Sequence, residues 1–225
     1  MVAGNRQIWI SRGQPEVLPP GASQPAYDAR FRRLLPASDW AQLPELVRRR
    51  FSKRLGASQT ALYKGRVVET RHSRLGWMLA QVCRVIGAPL PLYRDNDVPA
   101  VVSVSEDAQS GGQCWTRIYG RRDGFPQVIH SAKRFAGPTG LEEYLGRKLG
   151  MALSVSTEAN ELVFRSAHYF LMLFGRRVKL PHWMGPGRTM VRHRDLGEGR
   201  FAFDLDVIHP LFGELVHQHA EFQDV

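Results

Sequence analysis

The sequence predicts an α+β fold: a strongly curved antiparallel sheet or incomplete β-barrel of about eight strands, lipocalin-like in shape, with N-terminal helices packed on it or plugging it. Three observations lead there. From Val98 onward the hydrophobic period changes from 3.6 to 2, and eight strand-like stretches follow, separated by turn formers such as DAQSGG, RRDGFP, TEAN, LGEG and HPLFG. Helical spacing is confined to the region before that point. The apolar run Asn160 to Phe174 would reach about 50 Å as a straight strand, so it has to bend, and a sheet of this size left open would expose long edges.

Taken in order, residues 1–26 hold Pro15, Pro19, Pro20, Gly21 and Pro25 with little periodicity and read as a flexible arm. Residues 27–97 form a basic helical segment with one short strand, part of the same domain as the rest. Within it Leu43, Leu46, Val47, Phe51 and Leu55 fall at helical spacing, with Pro44 where a first turn tolerates it. Alternation over Ala61 to Thr70 predicts the short strand. A second helix is predicted over Arg74 to Ile86, its apolar stripe formed by Leu75, Met78, Leu79, Val82, Val85 and Ile86, with Ser73 as cap and Gly87 closing the C-terminus. The Pro-rich stretch 87–97 reads as a linker and the main internal boundary. Residues 98–225 then form the barrel-like domain, with strands over 100–106, 113–121, 127–135, 151–157, 161–174, 188–195, 200–208 and 214–222. One insert, Leu141 to Lys148, reads as a short turn or helix. The long strand 161–174 is apolar on both faces, so one face is expected inside and the other under the helix 75–86, with the bend at Ser166 to His168.

The formal net charge is +10, and residues 28–74 hold twelve Lys or Arg against four Asp or Glu. A basic helix over 45–55 could dock through Arg48, Arg49 and Lys53 onto an anionic membrane or partner. Nucleic acid is an unlikely partner, because no helix-turn-helix pattern or basic and aromatic interleaving accompanies the charge. Cys83 and Cys114 belong to no ligand pattern and read as reduced structural thiols. No apolar run reaches the roughly 18 residues of a bilayer span, and the first residues lack the apolar core of a signal peptide, which predicts a cytoplasmic protein.

Candidate site residues follow from strand faces. Trp115, Arg117 and Tyr119 share one face of strand 113–121; rings beside a guanidinium suit a semi-polar cavity for an anionic or carbonyl-bearing ligand. Phe164, His168 and Phe170 share one face of the long strand, Tyr169 lies on the other, and Phe203 lies on the apolar face of strand 200–208. His168 and Glu143 are the candidate acid or base groups. Asp204 and Asp206 read as a solvated pair. His209, His217 and His219 are weak metal candidates, since no carboxylate or cysteine is fixed beside them by local spacing. No GxSxG, GxxxxGK[ST], HExxH or GxGxxG motif is present, which removes most of the weight from hydrolase, NTPase, zincin and dinucleotide-dehydrogenase readings; no cofactor is expected.

The succession LPELVRRRF, LYKGRVVETR, GAPLP, WTRIYG, VIHSAKRF, LEEYLG with GMAL, LVFRSAHYFL, VKLPHWMGPG and FAFDLDVIHPLFGELVHQHAEF resembles a bacterial domain family of unknown function, found alone or fused C-terminal to saccharopine dehydrogenase-like oxidoreductases. Residues matching its motifs include Trp115, Arg117, Ser131, Glu142 or Glu143, Gly146, Tyr169, Pro181, His209 and Pro210. The resemblance implies an oxidoreductase of the same pathway as a possible partner and carries over no activity. The expected function is therefore noncatalytic binding of a hydrophobic or amphipathic small molecule inside the curved sheet, with Arg117 anchoring an acidic head. A cofactor-independent enzyme using Arg117 with His168 or Glu143 for proton abstraction or isomerisation is the alternative. Docking through helix 45–55 is a third.

Overall fold

The structure is a computed structural model and describes residues 26–224 apart from 57, 58, 86, 88, 89 and 147; the expected arm lies, but for Ala26, outside the described residues. The N-terminal segment comprises β1 (Ala26–Tyr27), α1 (Ala37–Gln42), α2 (Glu45–Phe51) and β2 (Lys53–Arg54). Then come β3 (Thr60–His72), α3 (Arg74–Val85), β4 (Val98–Asp107), β5 (Gly112–Tyr119), β6 (Gln127–Arg134), β7 (Glu142–Tyr144) and β8 (Leu149–Glu158). The chain ends with β9 (Glu161–Leu173), β10 (Arg176–Lys179), β11 (Arg188–Gly197), β12 (Arg200–His209) and β13 (Gly213–Asp224).

Ten strands close into an antiparallel barrel in the order β3, β4, β5, β6, β7, β8, β9, β11, β12, β13, and β13 pairs back to β3. β10 pairs only with β9, on the edge that β11 leaves free beyond Arg165. Closure removes the edges that the length of these strands would otherwise expose. The ring has ten strands where about eight were expected, for two reasons. The strand near residues 61–70 runs the full Thr60–His72 and sits between β13 and β4, so the barrel is not confined to residues 98–225. The insert 141–148 contains β7, a strand whose three residues bridge β6 and β8; the helix propensity of LEEYL gives way to ladder bonds on both sides.

The bend in the long strand falls where its small and polar residues lie. Ala152 of β8 faces His168 and Leu153 faces Ser166, leaving Ala167 as an extra, unpaired residue. This bulge inverts the faces beyond it. Leu162 and Phe164 point inward before it, and Tyr169 points inward after it, so His168 and Phe170 turn to the outer side of the wall, where Phe170 is buried against Tyr144.

The N-terminal segment fills one end of the barrel. Phe31, Leu35, Trp40, Leu43, Val47 and Phe51 form one buried cluster with the inward residues Leu141, Met151, Leu153, Leu162, Phe164 and Tyr169. Arg50 is buried with them: its guanidinium lies 3.8 Å from the Phe201 ring centroid, donates to His193 Nε2 at 3.3 Å and pairs with Asp224 at 3.1 Å. Of the basic residues of α2, Arg48 is half-buried, Arg50 buried and Arg49 exposed, so the charge of α2 is divided between packing and solvent.

α3 lies across the opposite end, chiefly against β13 and β3. Of the expected apolar stripe, Leu79 packs inward against Val207, Leu215 and Val216, but most of the stripe does not. Gly76, Ala80 and Cys83 face the barrel, while Leu75, Met78, Val82 and Val85 are exposed. Gly76 explains this: a Cβ there would fall on the carbonyl oxygen of Leu215, so only the small-residue face can come this close. The linker then crosses the same end, where His72 Nε2 donates to the Pro91 carbonyl at 2.7 Å and Gln127 brackets it with bonds to Leu92 N and Leu90 O. Cys83 and Cys114 are free thiols. Among the described residues no helix is long and apolar enough to cross a membrane.

Candidate functional site

Inward positions alternate along each strand, and where β5, β6 and β7 meet they bring charged groups into the interior. β5 contributes Gln113, Trp115, Arg117 and Tyr119; β6 contributes Ile129, Ser131 and Lys133; β7 contributes Glu143. Glu143 is the hub. Its Oε1 accepts from Ser131 Oγ at 2.6 Å, lies 3.1 Å from Lys133 Nζ and 3.6 Å from Arg117 Nη2. Arg117 Nη1 also donates to Ser131 Oγ at 3.1 Å. Lys133 Nζ stands 4.9 Å from the Trp115 ring centroid, and Trp115 Nε1 donates to Gln113 Oε1 at 3.1 Å.

Burial would raise the Glu143 carboxyl, but the charges of Lys133 and Arg117 and the Ser131 hydrogen bond outweigh it and hold the carboxyl below the ordinary glutamate range. Burial lowers the Lys133 ammonium, and Glu143 only partly offsets this against the like charge of Arg117. Two cations thus share one anion inside the barrel. The cluster has one more cation than anion, with Lys133 and Glu143 buried and Arg117 partly exposed, so water screens it only in part.

Around this cluster is a cavity of about 120 Å³, lined by Phe164, Met151, Val102, Phe203, Leu205 and Phe222 among others. Phe51 of the plug forms its floor, and Leu90, Pro91, Tyr119 and Thr189 stand towards the opposite end. The wall is thin at one place. β7 covers only Ala132 to Arg134 of β6, so the earlier part of β6 has no ladder partner on that side among the described residues, and Ile129, His130 and Leu145 line the space there.

Of the residues singled out from sequence, Trp115, Arg117, Tyr119, Ser131, Phe164 and Phe203 line this one space, together with Glu143. Tyr169 is inward but buried behind the lining, bonded to Thr189 Oγ1 at 2.6 Å. His168 and Phe170 are brought together outside the barrel, their rings 6.5 Å apart, and Phe170 packs on Tyr144. Burial and then Lys179 lower the His168 imidazole. Lys133 is the residue that sequence reasoning passed over. It lies two positions after Ser131 on the same strand face, and alternation alone would have included it.

The three histidines read as metal candidates lie away from this interior space. His217 Nδ1 contacts Asp206 Oδ1 at 2.7 Å, His219 contacts Asp204, and Arg192 and Arg194 reach the same two carboxylates at 2.9 Å and 3.1 Å. Asp204 and Asp206 are therefore buried under an imidazole and a guanidinium each, and are not a solvated pair. Asp206, Glu214 and His217 bring ligand atoms within 4.8 Å of one another, but His217 is already committed to Asp206. His209 stacks on Phe212 in the turn and joins neither.

Searches of curated proteins and of solved structures return no match. A family model described as "Domain of unknown function (DUF4166)" matches residues 43–222, which span α2, the whole barrel and the charged cluster: the chain belongs to that family.

Proposed function

We propose that the barrel interior binds an amphipathic small molecule with an acidic head, without catalysis. The observation that supports this reading is the cluster of Arg117, Lys133, Ser131 and Glu143, a two-cation, one-anion group in a space whose other walls are apolar and aromatic. A carboxylate or phosphate entering there would be the second counter-ion that Arg117 and Lys133 lack, and Arg117 offers a planar fork to receive it. The chain of the ligand would lie along Phe164, Phe203 and Leu205 towards the end opposite the plug. Apolar walls with a few converging polar groups are the usual makeup of small-molecule sites.

Native mass spectrometry of gently purified protein tests this reading. The expected result is a co-purifying acidic amphiphile that is lost from Lys133→Met and Arg117→Met proteins that still fold. Protein free of any such adduct, which also takes up no oleate when it is offered, would overturn it.

An enzymatic reading has one observation in its favour, the convergence of Arg117 and Glu143. Its His168 form fails, because Arg117 and His168 lie on opposite sides of the barrel wall. In its Glu143 form the base is weakened by the two cations that hold the carboxylate ionised. Binding is therefore the better account.

A further inference from the structure

The exposed apolar side chains of the barrel gather at the end opposite the plug. Strand directions place there the β9–β10 turn, the β12–β13 turn, the segment between β10 and β11, and α3. Phe174 is fully exposed at the first, Leu211 is 82% exposed at the second, Trp183 is 80% exposed in the third, and Val82 and Val85 stand out from α3. At the plug end the strand turns are built from Ala159 and Asn160, from Glu198 and Gly199, and from Gln109 and Ser110.

Phe174 is informative by itself. It has φ +49 and precedes Gly175 at φ +75, a two-residue hairpin turn in which Asn-Gly is favoured and a bulky residue is disfavoured. A phenylalanine here suffers both backbone strain and full hydration, and strain of this kind collects at functional positions. The outward stripe of α3 agrees with it. Leu75, Met78, Val82 and Val85 keep helical spacing, and the barrel takes the small-residue face instead.

Charge says what covers this surface. Arg74, Arg84, Lys148, Arg176, Lys179 and Arg188 are exposed around the same end, and none of them forms an ion pair among the described residues. The plug end is also basic through Arg32, Arg33 and Arg49, but its turns lack the apolar tips. Apolar and aromatic tips ringed by free cations match the interface of a bilayer with anionic lipid, where side chains enter the acyl boundary and cations meet the headgroups.

We infer that the mouth end of the barrel, comprising the outer face of α3 and the tips at Phe174, Trp183 and Leu211, docks onto an anionic membrane surface. The interior space reaches Leu90 and Pro91 of the linker at this end, so a docked barrel would exchange its amphiphile with the bilayer past that linker. That last clause rests on the binding reading, whereas docking itself does not.

The test uses the full chain with mixed phosphatidylcholine and phosphatidylglycerol vesicles, read by co-sedimentation and by quenching of tryptophan with brominated lipid. Trp183 and Trp77 are exposed at this end while Trp40 and Trp115 are buried, so binding should bring strong quenching. Phe174→Ser with Trp183→Ser, and separately Val82→Asp with Val85→Asp, should each weaken partitioning by roughly tenfold or more. These residues are exposed, so the folded state is not at stake. Charge reversal at Arg49 should leave binding unchanged. Three results would overturn the inference: no sedimentation with the anionic vesicles; binding that survives both pairs of substitutions but falls with Arg49→Glu; or a concentration-dependent dimer that these substitutions abolish, which makes a second copy of the chain the occupant. If vesicles bind and oleate does not, docking stands and the binding reading alone fails.

Discussion

Glu143 is the residue on which the interior depends. It is the single carboxylate facing Lys133 and Arg117; it and Lys133 are buried within the barrel, and Arg117 is partly exposed. Removing one member of a buried pair leaves an uncompensated charge, so Glu143→Leu should destabilise the fold by about 3–5 kcal/mol in denaturant titration. Replacing Glu143 and Lys133 together by Leu and Met should cost much less, because well-packed apolar groups can stand in for a buried pair. His193 makes a second prediction. It is fully buried between Phe201 and Phe203, and burial first, then Arg50, holds its imidazole well below its ordinary value of 6.5. Below about pH 6.5 the unfolded chain binds a proton at this position that the native state refuses, so stability falls as pH falls. His193→Phe should flatten that acid limb in urea unfolding measured between neutral and mildly acid pH, and an unchanged slope would contradict the assignment.

At the scale of elements, the sequence made legible what period and local chemistry decide. The alternation of Trp115, Arg117 and Tyr119 correctly put them on one face, and that face is inside. The small residues at 166 to 168 marked the bend, though alternation could not say that the bulge would turn His168 and Phe170 outward. β7 was hidden because three residues are too few to show a period, and its state is set by β6 and β8, which are remote in sequence or reached through a turn. α3 was predicted as a helix, with Ser73 as cap, its Oγ accepting from Gly76 N at 3.0 Å, and Gly87 at φ +76, but its buried face was misread. Hydrophobicity favoured the Leu75 to Val85 stripe; the close approach to Leu215 favoured Gly76. Gly76→Val should therefore lower stability by about 1–3 kcal/mol through overpacking against the β13 backbone, measured by thermal unfolding, while Val82→Ser on the open face should change it little.

At the scale of the molecule, the barrel is plugged at one end by α1 and α2 and bridged at the other by α3 and the linker, with charge placed deep and apolar wall above it. Residue pattern gave the curved sheet and most of the lining; closure by ten strands, and the meeting of β5, β6 and β7 at Glu143, depend on pairings between strands distant in sequence. The central claim is that the interior takes an acidic amphiphile by its head. It is tested most directly by calorimetric titration of the full chain with oleate, beside the uncharged alcohol of the same chain length. The account predicts saturable binding of oleate at one site, much weaker binding of the alcohol, and loss of roughly tenfold or more in oleate affinity for Lys133→Met. Equal affinity for acid and alcohol, or oleate binding indifferent to both Lys133→Met and Arg117→Met, would contradict it.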